Sequence, residues 1–109
     1  MYNQLLEDIL VEQEKGECYR NAGMKAIATG GNVVHGEVFA PNLGKFIKHA
    51  WVEVGDQIID PTVDLETTRE DYYSKFKAKP SYSVPSNKIF RIARNHTWGP
   101  WTEEEINDV

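Results

Sequence analysis

Two β-type segments joined by Gly55 and Asp56 constrain the fold of this chain more than any other feature. Residues 46–54 and 57–60 are rich in β-branched, aromatic and alternating side chains, as strands are. A glycine beside an aspartate between two such segments is typical of a two-residue hairpin turn. The sequence therefore predicts an antiparallel hairpin whose register is fixed by the turn.

This register places a histidine and an aspartate on one face of the hairpin. Counting back from the turn, Trp51 lies opposite Asp60, and His49 is two residues before Trp51. Because side chains alternate between the two faces of a strand, all three project from the same side. His49 and Asp60 are then diagonal neighbours about 7 Å apart at the backbone, and their side chains can meet.

The remaining elements favour an α+β fold, in which N-terminal helices pack on a small antiparallel sheet. The helical spacing of apolar residues ends at Gly16 and again at Gly30, and the tail carries a capping-box pattern beginning at Thr102. The sequence predicts helices over Tyr2–Lys15, Glu17–Ala28 and from Thr67 or Thr68 to Phe76, and further strands over Val33–Phe39 and Lys88–Arg94. Trp98 and Trp101 either fold back onto the sheet or form a partner-binding tail.

Composition narrows the class of protein. The 109 residues predict one domain, residues 1–109, and the 40% hydrophobic and 27% charged shares are typical of a globular protein. A net charge of −5 disfavours nucleic-acid binding, which needs a concentrated positive surface. A single cysteine excludes an intrachain disulfide, and no apolar stretch is long enough for a membrane span. We therefore expect a cytoplasmic protein that binds neither nucleic acid nor membrane.

Cys18 is the candidate nucleophile. Its predicted position is the first turn of a helix, where unpaired amide groups and the helix dipole favour a thiolate anion. The same amides can stabilise the oxyanion that forms when a carbonyl group is attacked. The alternative is a cysteine that serves only as a small core residue.

His49 and Asp60 are the candidate partners of this thiol. A carboxylate that accepts the imidazole N–H fixes the histidine tautomer and leaves the other ring nitrogen for the sulfur. The alternatives are a half-buried strand histidine and an aspartate that caps the amides after a strand exit, since Pro61 and Thr62 follow Asp60.

Three short motifs, in chain order, resemble those of transglutaminase-like and papain-like cysteine enzymes. Residues 16–22 are similar to the nucleophile motif of that superfamily, with a glycine two positions before the cysteine and an aromatic residue after it. Residues 49–54, His-Ala-Trp-Val-Glu-Val, resemble its histidine strand, and residues 59–62 resemble its aspartate strand. Residues 49–53, preceded by residues 33–38, are also similar to the transglutaminase-like leader peptidases that process lasso peptides.

The resemblance implies a nucleophile at Cys18, a general base and acid at His49 and an orienting group at Asp60. It implies an enzyme without a cofactor that hydrolyses or transfers an acyl group from a peptide or protein amide through a cysteinyl thioester. Because the chain is short, we expect substrate-binding elements to be missing or supplied by a partner protein. The alternative is a catalytically inactive domain of this kind that binds a peptide or protein.

Three further residues are candidates for the substrate site. Gln13, five residues before Cys18, is a candidate for the oxyanion hole, although it falls within the first predicted helix. Asn21 lies one turn after Cys18 and either lines the cleft or packs inside. Trp51 is a candidate wall of the site, a position that a plain core tryptophan would also occupy.

A zinc site is a rival interpretation of the same residues. Its ligands would be drawn from imidazole, thiolate and carboxylate groups, which zinc accepts in proteins. No two of them have the short spacing that zinc sites usually show, so we predict no metal. The residues concerned are Cys18, His35, His49 and Asp60.

Overall fold

A computed structural model describes residues 17–108, and within them four helices accompany a single antiparallel sheet. The helices are α1 (Glu17–Thr29), α2 (Arg69–Phe76), α3 (Ser86–His96) and α4 (Glu103–Asn107). The strands are β1 (Asn32–Ala40), β2 (Lys45–Val54), β3 (Gln57–Asp60), β4 (Leu65–Thr68) and β5 (Lys79–Pro85). Their order in the sheet is β4-β3-β2-β1-β5, so the α+β class predicted from the sequence is confirmed.

The predicted hairpin forms with the predicted register. Val54 pairs with Gln57 and Val52 pairs with Ile59, so two residues make the turn. Gly55 has a φ of +60°, whereas Asp56 has a negative φ, which is the pattern of a type II′ turn. A glycine at the first turn position is therefore what this hairpin requires.

Each face of the sheet carries its own apolar cluster, because successive residues of β2 point to opposite sides. Trp51 packs on one face with Tyr72 and Phe76 of α2. Val52 packs on the other face, which is covered by α1 and α3. Full burial of a large apolar side chain contributes about 1.5–3 kcal/mol, so helices on both faces hold the sheet in place.

The strand predicted over Lys88–Arg94 is wrong, because these residues belong to α3. Ile89 and Ile92 are buried three residues apart, while Phe90 between them is 61% exposed. A three-residue spacing of buried positions is helical, and a short apolar run of this kind does not distinguish the two structures by itself.

The strand at that edge of the sheet is instead β5, which the sequence analysis missed together with β4. Two prolines, Pro80 and Pro85, make β5 look like a loop, yet an edge strand tolerates proline because one side of its backbone needs no ladder partner. A bulge lies opposite His35 and Gly36 of β1. Gly36 is required there, since any Cβ would overlap the carbonyl oxygen of Lys79.

The other predicted elements agree with the structure, apart from shifts of one residue at some ends. Thr68 caps α2 by accepting a hydrogen bond from the backbone N–H of Asp71 at 3.2 Å. Thr102 and Glu105 form the predicted capping box. The helix predicted over Tyr2–Lys15 lies outside the described residues. Within residues 17–108 no helix is both long and apolar enough to cross a membrane.

Candidate functional site

A buried histidine–aspartate pair lies where the β2–β3 ladder ends. His49 Nε2 and Asp60 Oδ2 are 2.8 Å apart, and both side chains are fully buried. The ladder joins residues 52–54 of β2 to β3, so His49 lies beyond its paired part. Asp60 is the last residue of β3. The hairpin register therefore brings the two side chains together, diagonally across the two strands.

Three donors hold the Asp60 carboxylate. Besides His49, the hydroxyl of Tyr72 donates to Oδ2 at 2.7 Å and the backbone N–H of Thr62 donates to Oδ1 at 3.2 Å. Burial and the charge of Asp60 raise the pKa of Tyr72 well above its ordinary value, so this hydroxyl stays protonated and keeps donating. Sequence reasoning missed Tyr72, because only the packing of α2 under the sheet brings it to Asp60.

The imidazole of His49 is held as a cation. Burial alone lowers the pKa of His49, but the charge and the hydrogen bond of Asp60 outweigh burial and raise the pKa to about 9. Because Nε2 binds Asp60, Nδ1 is the ring nitrogen that is available to another partner. It makes no hydrogen bond of regular geometry with any residue between 17 and 108.

Cys18 lies near this imidazole, on α1. It is the second residue of α1 and fully buried, and it packs in the same cluster as Ala22 and Ala50. The nearby thiol raises the pKa of His49, as Asp60 does more strongly. The thiol, the imidazole and the carboxylate therefore lie near one another in the core.

The group is closed to solvent. Cys18, His49 and Asp60 all have 0% exposure. Asp60 borders a small cavity of about 110 Å³ next to Pro61 and Lys25. A substrate can therefore reach the sulfur only after a movement that opens the site.

The remaining predicted site residues lie at different distances from this group. The ring of Trp51 is 6.3 Å from that of His49, centroid to centroid, and its Nε1 donates to Glu53 at 3.3 Å. Asn21 is partly buried and borders a shallow surface groove with Met24 and Pro61. Gln13 lies outside the described residues.

The structure keeps His35 apart from the other rival zinc ligands. His35 pairs with Ala50 and Gly36 pairs with His49. Cross-strand partners share a face, so the two histidines project from opposite faces of the sheet. No group of three or more candidate ligands able to hold a metal ion occurs in the part of the chain that the structure describes.

No protein-family model, curated protein or solved structure matches this chain. Membership of the transglutaminase-like superfamily therefore stays a prediction that rests on the three short motifs.

Proposed function

We propose that this protein is a thiol-dependent hydrolase of amide or related acyl bonds, built on a transglutaminase-like core. The observation that carries the proposal is the buried His49–Asp60 pair, in which the second ring nitrogen of His49 has no hydrogen-bond partner among residues 17–108 and the pKa of the ring is also raised by Cys18. Strongly shifted pKa values with a specific charged partner concentrate at functional sites.

The proposed reaction begins with attack of the Cys18 sulfur on a carbonyl carbon. The carbonyl electrons move onto oxygen, and the resulting oxyanion is stabilised by amide groups in the first turn of α1. When the tetrahedral intermediate collapses, the C–N bond breaks and His49 gives its Nδ1 proton to the departing amine. A thioester remains on the sulfur.

Water completes the proposed cycle. Neutral His49 accepts a proton from the attacking water, the C–S bond breaks, and a carboxylic acid leaves while the thiolate–imidazolium pair is restored. Asp60 holds the imidazole orientation throughout, since two further donors fix its own position. An amine in place of water would give acyl transfer by the same steps.

The energetic cost of the buried pair supports a role beyond stability. Moving two charges out of water costs several kcal/mol for each ion, and apolar residues of similar volume often replace such a pair without loss of stability. Stability alone therefore does not require a buried carboxylate that accepts hydrogen bonds from three donors, one of them a tyrosine from another element.

A second candidate function is favoured by the closure of the site. Because Cys18 has 0% exposure, a domain of this shape also suits a binding module whose thiol is only a core residue. In that case the histidine–aspartate pair organises the sheet, and any peptide or protein partner binds elsewhere on the surface.

An activated ester separates the two candidates. With p-nitrophenyl acetate as the acyl donor, we expect an acetyl adduct on the protein by intact mass spectrometry, followed by turnover. Because the chain has one cysteine, loss of the adduct in Cys18→Ala assigns it to that sulfur. We expect Cys18→Ala to abolish the adduct and His49→Ala to slow its formation about 10²–10⁴-fold, the usual contribution of general acid–base catalysis.

Asp64→Asn is the matched control, since Asp64 is an exposed aspartate four residues from Asp60. It should leave both rates unchanged. Release of nitrophenolate at one rate in the parent protein, Cys18→Ala and His49→Ala would refute the enzymatic proposal and leave the binding module.

A further inference from the structure

A groove of about 300 Å³ lies on the face of the sheet that α1 covers, the face on which Cys18 packs. It lies near the candidate site, because Tyr19 in its wall follows Cys18 and Gly36 in its lining pairs with His49 in the sheet. Its lining includes four rings, those of Tyr19, His35, Tyr82 and Trp101.

His35 is a buried polar side chain in this lining without a hydrogen-bond partner among the described residues. It is only 5% exposed, and neither ring nitrogen has a hydrogen-bond partner among the described residues. Burial lowers the pKa of His35 to about 4, so the ring is neutral at pH 7 and offers one N–H donor and one acceptor. A buried polar group without a partner is unfavourable by about 1–3 kcal/mol, which makes this ring a candidate ligand contact.

The aromatic walls are held in place by the strap, defined as residues 97–102. Trp101 stacks on His35 with the ring centroids 4.6 Å apart, and its Nε1 donates to the Thr97 carbonyl at 2.8 Å. Gly99 lies so close to the imidazole that a Cβ there would be 2.6 Å from His35 Cε1. Trp101 therefore folds back onto the protein, which confirms one of the two alternatives for the tail.

We propose that this groove binds a peptide segment of the substrate, with a large ring side chain between Tyr19, Tyr82 and Trp101 and the adjoining peptide group on His35. The inference rests on the proposed function, since it assigns the substrate class of the same site. The peptide group supplies the acceptor and donor that a neutral imidazole can match.

Volume and charge agree with this occupant. A cavity of about 300 Å³ holds one large side chain, and aromatic pairs contribute beyond the area that they bury. At the rim Glu37 lies opposite Lys48, so the two charges offset each other and select no charged residue. Both His35 nitrogens are enclosed, so we expect the strap to shift when the peptide group binds.

The test uses Cys18→Ala, so that binding is measured apart from any chemistry. The probes are N-acetyl-phenylalaninamide and N-acetyl-alaninamide, titrated while the histidine ring signals are followed by NMR and tryptophan fluorescence reports on the strap. We expect the phenylalanine probe to shift the His35 signals with a dissociation constant in about the millimolar range, and the alanine probe to bind at least about tenfold more weakly.

Two variants and one control locate the binding. His35→Phe keeps a ring for stacking but removes both nitrogens, and Tyr82→Ala removes a half-exposed wall at low risk to folding. We expect each to weaken binding about tenfold, and Phe90→Ala, an exposed ring on α3, to have no effect. If His35→Phe fails to fold, the affinity of Tyr82→Ala for the phenylalanine probe provides the test.

The outcomes separate this inference from the proposed function. Equal binding of the two probes, no shift of the His35 signals, or an unaffected Tyr82→Ala would overturn the groove assignment, even if the parent protein hydrolyses an ester. Selective binding by a protein whose parent form is inert toward that ester would support the groove as a peptide site and refute the hydrolase.

Discussion

The strongest quantitative consequence of the His49–Asp60 pair is a stability that depends on pH. The folded-state pKa of His49 is about 9, against an ordinary value of 6.5. Between these values the folded protein binds a proton that the unfolded chain does not, so the free energy of unfolding falls as the pH rises. At 1.36 kcal/mol per pH unit, the full loss is about 3 kcal/mol.

The assay is urea unfolding of Cys18→Ala at half-unit pH steps from 5.5 to 9.5, so that ionisation of the thiol adds nothing to the slope. The contribution is fully present below pH 6.5 and is lost as the pH rises through about 9, with a slope near −1.4 kcal/mol per pH unit. In the same background Asp60→Asn removes the counter-charge, so only burial acts on His49 and its pKa falls below 6.5. The slope between pH 6.5 and 9 then disappears.

The control is again Asp64→Asn, which should follow the parent curve. Asp60→Asn is also expected to be less stable at pH 6 by about 3–5 kcal/mol, the usual loss when one partner of a buried ion pair is removed. Parallel curves for the parent and Asp60→Asn above pH 6.5 would refute the assignment of a protonated, carboxylate-bound His49.

Three other substitutions test the backbone at Thr97, the close packing at Gly36 and the hydrogen bond of Tyr72. Thr97→Gly should stabilise the protein by about 1 kcal/mol in thermal unfolding, because Thr97 adopts φ +66° and ψ −172°, a region that favours glycine; a lower midpoint would contradict this. Gly36→Ala should destabilise it by about 3 kcal/mol, since the added Cβ meets the Lys79 backbone, and an unchanged urea midpoint would show that β5 can move. Tyr72→Phe should lower the free energy of unfolding by about 1.5–3 kcal/mol at pH 7, because the hydrogen bond to Asp60 is lost. An unchanged free energy of unfolding would show that this hydrogen bond does not stabilise the fold.

The hairpin was predictable because its information is local. Turn chemistry fixed the pairing of Val52 with Ile59, and strand alternation then placed His49 and Asp60 on one face. The first helix of the described region was equally accessible, since its ends are marked by glycines. A catalytic role of His49 and Asp60 could not be predicted in this way, because residue spacing indicates which side chains lie together and not what chemistry they perform.

The elements that sequence reasoning missed depend on tertiary context. Residues 88–94 contain a short apolar run that fits either structure, and packing against α1 makes it a helix. The edge strand β5 contains prolines that are tolerated only because no further strand pairs with it. Tyr72 and the groove around His35 also lacked a sequence signal, because each brings together elements that are distant in the chain.

The most direct test of the central claim is the rate at which iodoacetamide alkylates Cys18 at pH 7, followed by intact mass spectrometry. The chain has one cysteine, so loss of the adduct in Cys18→Ala assigns it to that sulfur. We expect His49→Ala to slow the alkylation and Asp64→Asn to react at the parent rate, because only the imidazole activates the thiol. Equal rates in the parent protein and in His49→Ala would mean an ordinary thiol and would contradict the proposed enzyme.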